Sequence, residues 1–178
     1  MKHILIIGSG ARECMIIKKL KQSNQKITIS CIGTTRNPYI DKNTLLYITS
    51  ITPQILNILL NIMGKIDYVI IGPETPLKDG ITDYFESAGI PCIGPLKYYA
   101  QIETSKIFAR NFIDSINLSH HSPNYILIDD VKQSAEKMND FINKINKDKE
   151  IVIKKDGLCG GKGVMVQGVD FQTLDEIQ

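Results

Sequence analysis

The sequence predicts an α/β fold, in which a doubly wound parallel sheet is followed by an incomplete, smaller α+β unit. Short apolar runs alternate with amphipathic stretches over the first 100 residues, which is typical of parallel strands covered by helices. A glycine-rich turn follows the first run, and Gly94-Pro95 breaks the pattern. With 178 residues, 43% of them hydrophobic, the chain can bury one core and part of another.

The first unit is predicted over residues 1–100. Its strands are expected at 3–7, 26–32, 45–48, 66–71 and 90–93. Helical apolar spacing occurs at 12–22, 53–63 and 79–88. Pro53 suits the first turn of its helix.

The second unit is predicted over residues 123–178, after a helical connection at 101–122. One or two helices are expected within 97–115. The predicted order is then a strand at 125–128, a helix at 131–147, strands at 150–154 and 164–167, and the start of a helix at 171. Three strands with one helix lack a partner layer, so this unit is expected to be incomplete.

Charge and cysteine spacing limit the class of partner. The formal charge of +2 comes from 21 basic and 19 acidic residues spread along the chain, so small molecules are favoured over nucleic acid or a membrane surface. The cysteines lie far apart, without a C-x-x-C pair, and are expected to be reduced thiols of a cytoplasmic protein. They are Cys14, Cys31, Cys92 and Cys159. The apolar run at 4–7 is too short for a signal peptide, and no later run is long enough to span a bilayer.

The first glycine turn lies where a Rossmann protein binds pyrophosphate. Gly8 and Gly10 allow a tight turn and a close approach to the backbone, but Glu13 stands in place of the third glycine. The second strand also ends without an acidic residue for a ribose, which disfavours a dinucleotide. A phosphate or sugar-phosphate site is favoured, and an ordinary turn is the alternative.

Three polar side chains accompany this turn. Arg12 could bind a phosphate through two parallel hydrogen bonds, and Glu13 could accept from an amine or hydroxyl. Alternatively, the two form an exposed pair at the start of a helix. Glu74 follows the fourth strand between Pro73 and Pro76, where a rigid turn would present it to sugar hydroxyls; a solvated loop carboxylate is the alternative.

The second glycine turn, residues 154–164, combines glycines with lysines. Lys154 ends a predicted strand, and Lys162 lies among the glycines, so loop amides and lysines could surround phosphates. The loop is not a Walker loop, because Gly163 and a strand follow the lysine. The favoured interpretation is a lid between two strands, and the alternative is an ordinary glycine-rich hairpin.

Other polar residues carry weaker signals. Lys106 has the sequence context of a solvated helix lysine. His120 and His121 are adjacent in a polar stretch and lack a metal-ligand partner three or four residues away. Structural or solvent-exposed roles are therefore favoured for both histidines over catalysis.

Taken together, these residues resemble the phosphoribosylamine–glycine ligases, or glycinamide ribonucleotide synthetases, of the ATP-grasp superfamily. The resemblance covers nearly the whole chain and depends on four blocks in register. They are IIGSGARE at 6–13, IGPETPLKDG at 71–80, IGP at 93–95 with AQIETSK at 100–106, and VIKKDGL at 152–158 with GKGV at 161–164.

The resemblance implies an ATP-dependent ligase that joins glycine to 5-phosphoribosylamine through a glycyl phosphate, in purine biosynthesis. The first unit would be the pre-ATP-grasp domain that binds phosphoribosylamine, through Gly8, Gly10, Arg12, Glu13 and Glu74. The second would be part of the small ATP-grasp lobe, with ATP-binding residues Lys106, Lys154, Asp156, Gly157, Gly160, Gly161, Lys162 and Gly163. The resemblance places the Mg²⁺ ligands in a large lobe beyond this portion, so the chain alone is expected to be inactive.

The sequence departs from the family at three places. Cys14 replaces a histidine, which removes a possible donor to the sugar phosphate. Cys159-Gly160 replaces two alanines, and Lys155 adds a charge. Two other functions remain open: a truncated relative that binds a nucleotide or sugar phosphate without catalysis, and an ATP-grasp ligase for another amine.

Overall fold

The computed structural model describes residues 1–62, 65–129, 134–145, 150–173 and 176. It divides into two compact units, Met1–Ala100 and Gln101–Gln178. Each unit has its own sheet, and each is described separately below.

The first unit is built on a five-stranded parallel sheet with the order β3-β2-β1-β4-β5. The chain adds strands on one side of β1 and then crosses to the other side, so the sheet is doubly wound, as predicted. The strands are β1 (Lys2–Ile7), β2 (Ile27–Ile32), β3 (Tyr47–Ile48), β4 (Tyr68–Ile71) and β5 (Cys92–Ile93). The strand order reverses between β1 and β4, and ligands of open α/β sheets bind beyond the carboxyl ends of such strands.

Helices cover both faces of this sheet because alternate side chains of β1 point to opposite sides. Leu5 and Ile7 belong to one buried cluster, whereas Ile4 and Ile6 belong to the other. The helices of this unit are α1 (Ala11–Lys21), α2 (Pro38–Asn43), α3 (Pro53–Ile62), α4 (Glu74–Lys78) and α5 (Ile81–Ser87). The resulting core is buried from both sides, which explains the continuous apolar runs in the sequence.

Two short helices were not predicted. Helix α2 begins after Asn37, whose side chain accepts hydrogen bonds from the backbone N–H groups of Tyr39 and Ile40, and Pro38 occupies its first turn. Both are recognised helix-start signals. Helix α4 begins at Glu74, so the prediction of a rigid loop at this residue was wrong.

The second unit contains a two-stranded antiparallel sheet of β6 (Val152–Lys154) and β7 (Val164–Val166). Its helices are α7 (Lys106–Ser115), a 3₁₀ turn (Ser119–His121) and α8 (Ser134–Lys144), and α6 (Lys97–Thr104) includes the boundary between the units. The predicted helix at 131–147 is therefore present in its described part. Residues 131–133, 146 and 147 lie outside the described residues.

One element predicted in this unit was wrong, and another lies largely outside the described residues. Residues 125–128 form no strand; instead the Tyr125 hydroxyl donates to Asp114, and the Arg110 guanidinium lies 5.4 Å from the centre of the Tyr125 ring. Residues 171–173 are not helical, and Phe171 forms an isolated bridge with Gln167. Residues 174, 175, 177 and 178 lie outside the described part. At 125–128, contacts of the Tyr125 side chain replace the strand suggested by apolar spacing.

None of the helices in the described part of the chain has the length and apolarity needed to cross a membrane.

Candidate functional site

The first candidate site, the β1/β4 turn site, comprises the turns that follow β1 and β4. The N–H of Gly8 donates to the Ile32 carbonyl at 2.7 Å, and the N–H of Gly72 donates to the Ile7 carbonyl at 3.0 Å. These bonds continue the sheet ladder into both turns. The two turns are consequently fixed at the strand-order reversal, where a ligand would bind.

Glu13 is a buried part of this turn site and is only 4% exposed. Its carboxylate accepts a hydrogen bond from the Gly10 N–H at 2.6 Å, which forms the start of α1. A Cβ atom added to Gly72 would lie 1.9 Å from Glu13 Oε1, and one added to Gly8 would lie 2.7 Å from Glu13 Cδ. The two glycines therefore make room for the Glu13 side chain, and Glu13 is not the exposed half of a pair with Arg12.

Arg12 and Glu74 meet at the solvent side of the same turns. The Arg12 guanidinium donates to the Gly72 carbonyl at 2.5 Å and to Glu74 Oε1 at 3.2 Å. A hydrogen bond from its own backbone N–H, and then those from Arg12, lower the pKa of Glu74 below its ordinary value. The structure thus brings together two predicted substrate-binding residues that lie 62 positions apart in the chain.

Sequence reasoning missed the polar side chains on the other side of this turn. The Asn37 amide donates to the Ser9 carbonyl at 3.0 Å and to Cys14 Sγ at 3.2 Å. The Ser9 hydroxyl contacts the Thr35 hydroxyl at 3.0 Å. Cys14 is therefore part of the turn's hydrogen bonding. The helix-start signal at Asn37-Pro38 was the sequence feature that could have located this cluster.

The second candidate site, the glycine loop, connects β6 to β7 over residues 155–163. Lys154 pairs with Val164 in the sheet, and the Lys155 N–H donates to the Gly163 carbonyl at 2.8 Å, so the base of the loop is a regular hairpin. Lys154, Lys155 and Lys162 are exposed. The loop and its base therefore present three lysines to solvent, as suits an anion-binding loop.

The tip of the glycine loop is open. Gly157, Gly160 and Gly161 have φ angles of 86°, 57° and 79°, in the left-handed region that favours glycine. No atom of the described residues lies within 4 Å of a Cβ built on any of the three. The chain can thus change shape here without disturbing packed neighbours.

Asp156 and Lys106 tie the base of this loop to α7. The Asp156 carboxylate accepts from the backbone N–H groups of Lys106 and Ile107 and from the Ser105 hydroxyl. The Lys106 ammonium donates to the Gly157 carbonyl at 2.8 Å. Partial burial alone would raise the pKa of Asp156, but these hydrogen bonds and one from the Gly157 N–H together lower it.

Metal-ligating side chains do not cluster in the described ranges, where no group of three or more His, Cys, Asp or Glu residues could hold an ion. His120 and His121 contact each other, with ring centres 4.0 Å apart.

Family comparison covers both units in order. The model of the phosphoribosylglycinamide synthetase N domain matches residues 2–103, and the model of the ATP-grasp (A) domain of the same synthetase matches residues 104–177. The chain belongs to the phosphoribosylglycinamide synthetase family. The resemblance noted from the four sequence blocks is thereby confirmed.

The relatives that this chain matches are longer proteins than this chain. A bifunctional purine biosynthetic protein of Saccharomyces cerevisiae is 36% identical over 184 residues, covering 100% of this chain and 22% of its own length. A phosphoribosylamine–glycine ligase of Methanothermobacter thermautotrophicus is 36% identical over 168 residues, covering 93% of this chain and 36% of the ligase. The chain thus spans about a fifth to a third of these two relatives.

Solved structures share the fold. N5-carboxyaminoimidazole ribonucleotide synthetase from Thermotoga maritima matches with a TM-score of 0.64 and 17% identity, over 94% of this chain and 41% of that one. N5-carboxyaminoimidazole synthetase from Staphylococcus aureus, complexed with ADP, matches with a TM-score of 0.61 and 14% identity, over 95% and 42%. The predicted fold class, a doubly wound sheet followed by part of an ATP-grasp lobe, is confirmed.

Proposed function

We propose that this chain is the N-terminal part of an ATP-dependent ligase that joins glycine to 5-phosphoribosylamine. The reaction would pass through a glycyl phosphate and give glycinamide ribonucleotide, ADP and phosphate in purine biosynthesis. One observation carries the proposal: two successive domain models of one synthetase match the chain in order, and each matched region contains one glycine turn.

The β1/β4 turn site would bind phosphoribosylamine. The exposed Gly10 lies at the start of α1, where a phosphate is favoured, whereas the buried Gly8 makes room for Glu13 and would shape the turn. Arg12 would turn from Glu74 toward the phosphate, and the Glu74 carboxylate would then accept from ribose hydroxyls. Glu13 would support the site through its bond to Gly10.

The glycine loop would bind the phosphates of ATP. Lys106, Lys154 and Lys162 would supply positive charge, and the N–H groups of residues 157–163 would donate hydrogen bonds. Phosphoryl transfer to the glycine carboxylate spreads negative charge over the transferred group, and fixed donors and cations stabilise that charge. The Staphylococcus aureus synthetase that shares the fold is complexed with ADP, which supports a nucleotide as a ligand.

Mg²⁺ would accompany ATP in the complete protein. The described residues do not supply a ligand set for it, since no acidic or histidine cluster is present among them. Its ligands would therefore come from outside these residues. The substrates proposed are all small molecules, and the proposed location is the cytoplasm, in agreement with four free cysteines.

The decisive experiment measures ADP release by the full-length protein that contains this chain. ADP should form only when glycine and phosphoribosylamine are both present. ADP release without glycine, or release driven equally by other amines, would contradict the proposal. Calorimetric titration of this chain alone with Mg-ATP, and separately with ribose 5-phosphate, tests the two binding assignments without requiring turnover.

A further inference from the structure

We propose that Asp156 is a positioning residue that contacts no substrate and instead holds Lys106 at the base of the glycine loop. This inference rests on the proposed ATP site. It assigns Asp156 a different role from that of the loop residues around it, which would face the nucleotide.

The bonds made by the carboxylate support this role. Oδ1 accepts from the Lys106 N–H at 2.6 Å and from the Ile107 N–H at 3.2 Å, and the Ser105 hydroxyl lies 3.2 Å from Oδ1 and 3.1 Å from Oδ2. These backbone groups begin α7 and have no acceptor within the helix. Ser105 itself accepts from the Phe108 N–H at 3.1 Å. Ser105 and Asp156 thus share the capping of one helix, although about 50 residues separate them.

Lys106 is held at two points by consecutive residues of the loop. Its backbone N–H donates to Asp156, and its ammonium group donates to the Gly157 carbonyl at 2.8 Å. The direction of that carbonyl depends on the left-handed conformation of Gly157, at a φ of 86°. Asp156 therefore fixes both the start of α7 and the carbonyl on which the Lys106 ammonium is held.

Charge also favours a positioning role over contact with the nucleotide. A carboxylate facing a triphosphate would repel it, whereas a carboxylate at a helix N-terminus interacts favourably with the helix dipole. The loop is fixed at Asp156 and open at Gly160 and Gly161, where no neighbouring atom of the described residues is within 4 Å. Movement of the loop would thus begin after Gly157 and leave Lys106 in place.

The test compares Asp156→Ala, Asp156→Asn and the control Asp170→Ala by Mg-ATP titration of the full-length protein that contains this chain. Asp170 is a suitable control because it is also an aspartate in a loop next to the small sheet. Its carboxylate accepts a hydrogen bond from the Val166 N–H at 2.8 Å. We expect Asp156→Ala to weaken ATP binding about tenfold, since it removes the charge-assisted hydrogen bonds at the start of α7. Asp156→Asn should stay within about threefold of the wild type, because its amide oxygen still accepts from α7. Asp170→Ala should have no effect.

Lys106→Ala provides the second readout. If Asp156 acts through Lys106, the double variant Asp156→Ala/Lys106→Ala should bind ATP no more weakly than Lys106→Ala alone. Amide hydrogen exchange without ATP should become faster at Lys106 and Ile107 in Asp156→Ala but stay unchanged in β6 and β7, which would show that the variant is folded and the cap is lost.

Three results would overturn the inference. Asp156→Asn binding ATP as weakly as Asp156→Ala would show that the charge itself contacts the ligand or its metal. Additive effects of Asp156→Ala and Lys106→Ala would show that the two residues act separately. Normal ATP affinity in Asp156→Ala, with Lys154→Ala still impaired, would remove the positioning role but leave the ATP site. Failure of the full-length wild-type protein to bind ATP would instead contradict the proposed function as well.

Discussion

The two glycine turns use the same residue for opposite physical reasons. In the β1/β4 turn site, Gly8 and Gly72 have no side chain because the buried Glu13 fills that space, with its Oε1 only 1.9 Å from a Cβ at Gly72. In the glycine loop, no described atom comes within 4 Å of a Cβ at Gly160 or Gly161. Glycine permits dense packing in the first case and free backbone movement in the second.

This difference suits the two ligands proposed. A turn packed around Glu13 is already shaped before a ligand arrives, so it fits a site that orients a small sugar phosphate. An open loop anchored at Asp156 can close over a larger nucleotide and open again for its release.

Thiol labelling should give the largest difference, because Cys31 of β2 contacts the first turn and Cys159 lies in the glycine loop. Cys31 donates to the Gly8 carbonyl at 3.1 Å and is 1% exposed, whereas Cys159 is partly exposed in the glycine loop. Burial, followed by the nearby Glu13 carboxylate, raises the pKa of Cys31 to about 12. We expect Cys159 to react at least about 1,000-fold faster than Cys31, whose labelling requires unfolding. Mass spectrometry of the native protein after timed labelling measures both rates.

The labelling comparison has an internal control. In urea, both thiols should react at similar rates, because packing no longer distinguishes them. Similar rates in the native protein would show that the first turn is as open as the second.

Gly72→Ala should give the next largest effect, on stability. Its methyl group would overlap Glu13, which cannot move away cheaply because it is buried and bonded to Gly10. We expect a loss of about 3 kcal/mol in the free energy of unfolding, measured in urea.

The control Gly89→Ala has a φ of 74° but no described atom within 4 Å of its Cβ, and should lose only about 1 kcal/mol. In a Glu13→Ala background, Gly72→Ala should become much less costly; an unchanged cost would show that Glu13 does not fill the turn.

Lys154→Ala and Glu74→Ala should divide the two sites by ligand. Lys154→Ala removes an exposed ammonium at the loop base and should weaken Mg-ATP binding about tenfold, while ribose 5-phosphate binding is unchanged. Glu74→Ala should do the reverse. Calorimetric titration of each variant with each ligand measures the four affinities. Equal losses of ATP affinity in both variants would contradict the assignment of separate sites.

Gly160→Ala should have a small effect on stability. The alanine would adopt a φ near 57° without a steric overlap, at a cost of at most about 1 kcal/mol. Gly163→Ala is the matched variant in the same loop, and its Cβ would lie 2.6 Å from Cys159 Sγ. Urea unfolding should rank Gly163→Ala as the more destabilised of the two. The opposite order would mean that the loop tip is packed.

Acid pH should cause the smallest loss of stability, and it should act separately in each unit. Asp67 accepts from the His3 N–H at 2.8 Å, and this bond, followed by that from Lys2, lowers the pKa of Asp67. Because the folded pKa is the lower one, its stabilisation is complete above the unfolded pKa of about 3.9 and is lost as pH falls through the folded value. The same sign holds for Asp156, whose pKa is also lowered.

Hydrogen exchange between pH 6 and pH 3 can separate these two carboxylates. Asp67→Asn should flatten the acid dependence of protection at His3 only, and Asp156→Asn that at Lys106 only. A change at both amides in either variant would show that the two units do not respond independently.

Most of the fold followed from the sequence because its signals are local. Apolar runs identified the five strands of the first sheet, and glycine breaks located both turns. The strand predicted at 125–128 failed because apolar composition does not reveal whether a neighbouring strand supplies hydrogen bonds. Helix α4 was missed because five residues are too few for a helical period to show.

The sequence by itself determined the family, the order of the two units and which residues are candidates for anion binding. Four motif blocks and the types of their residues carry this information directly. Only the tertiary structure decided what each candidate contacts. It buried Glu13 beneath two glycines, paired Arg12 with Glu74, and placed Asp156 on the first turn of α7. Most of these contacts join residues that are distant in the chain, and the burial of Glu13 depends on the turn that follows another strand. The spacing of residues in the sequence cannot predict contacts of this kind.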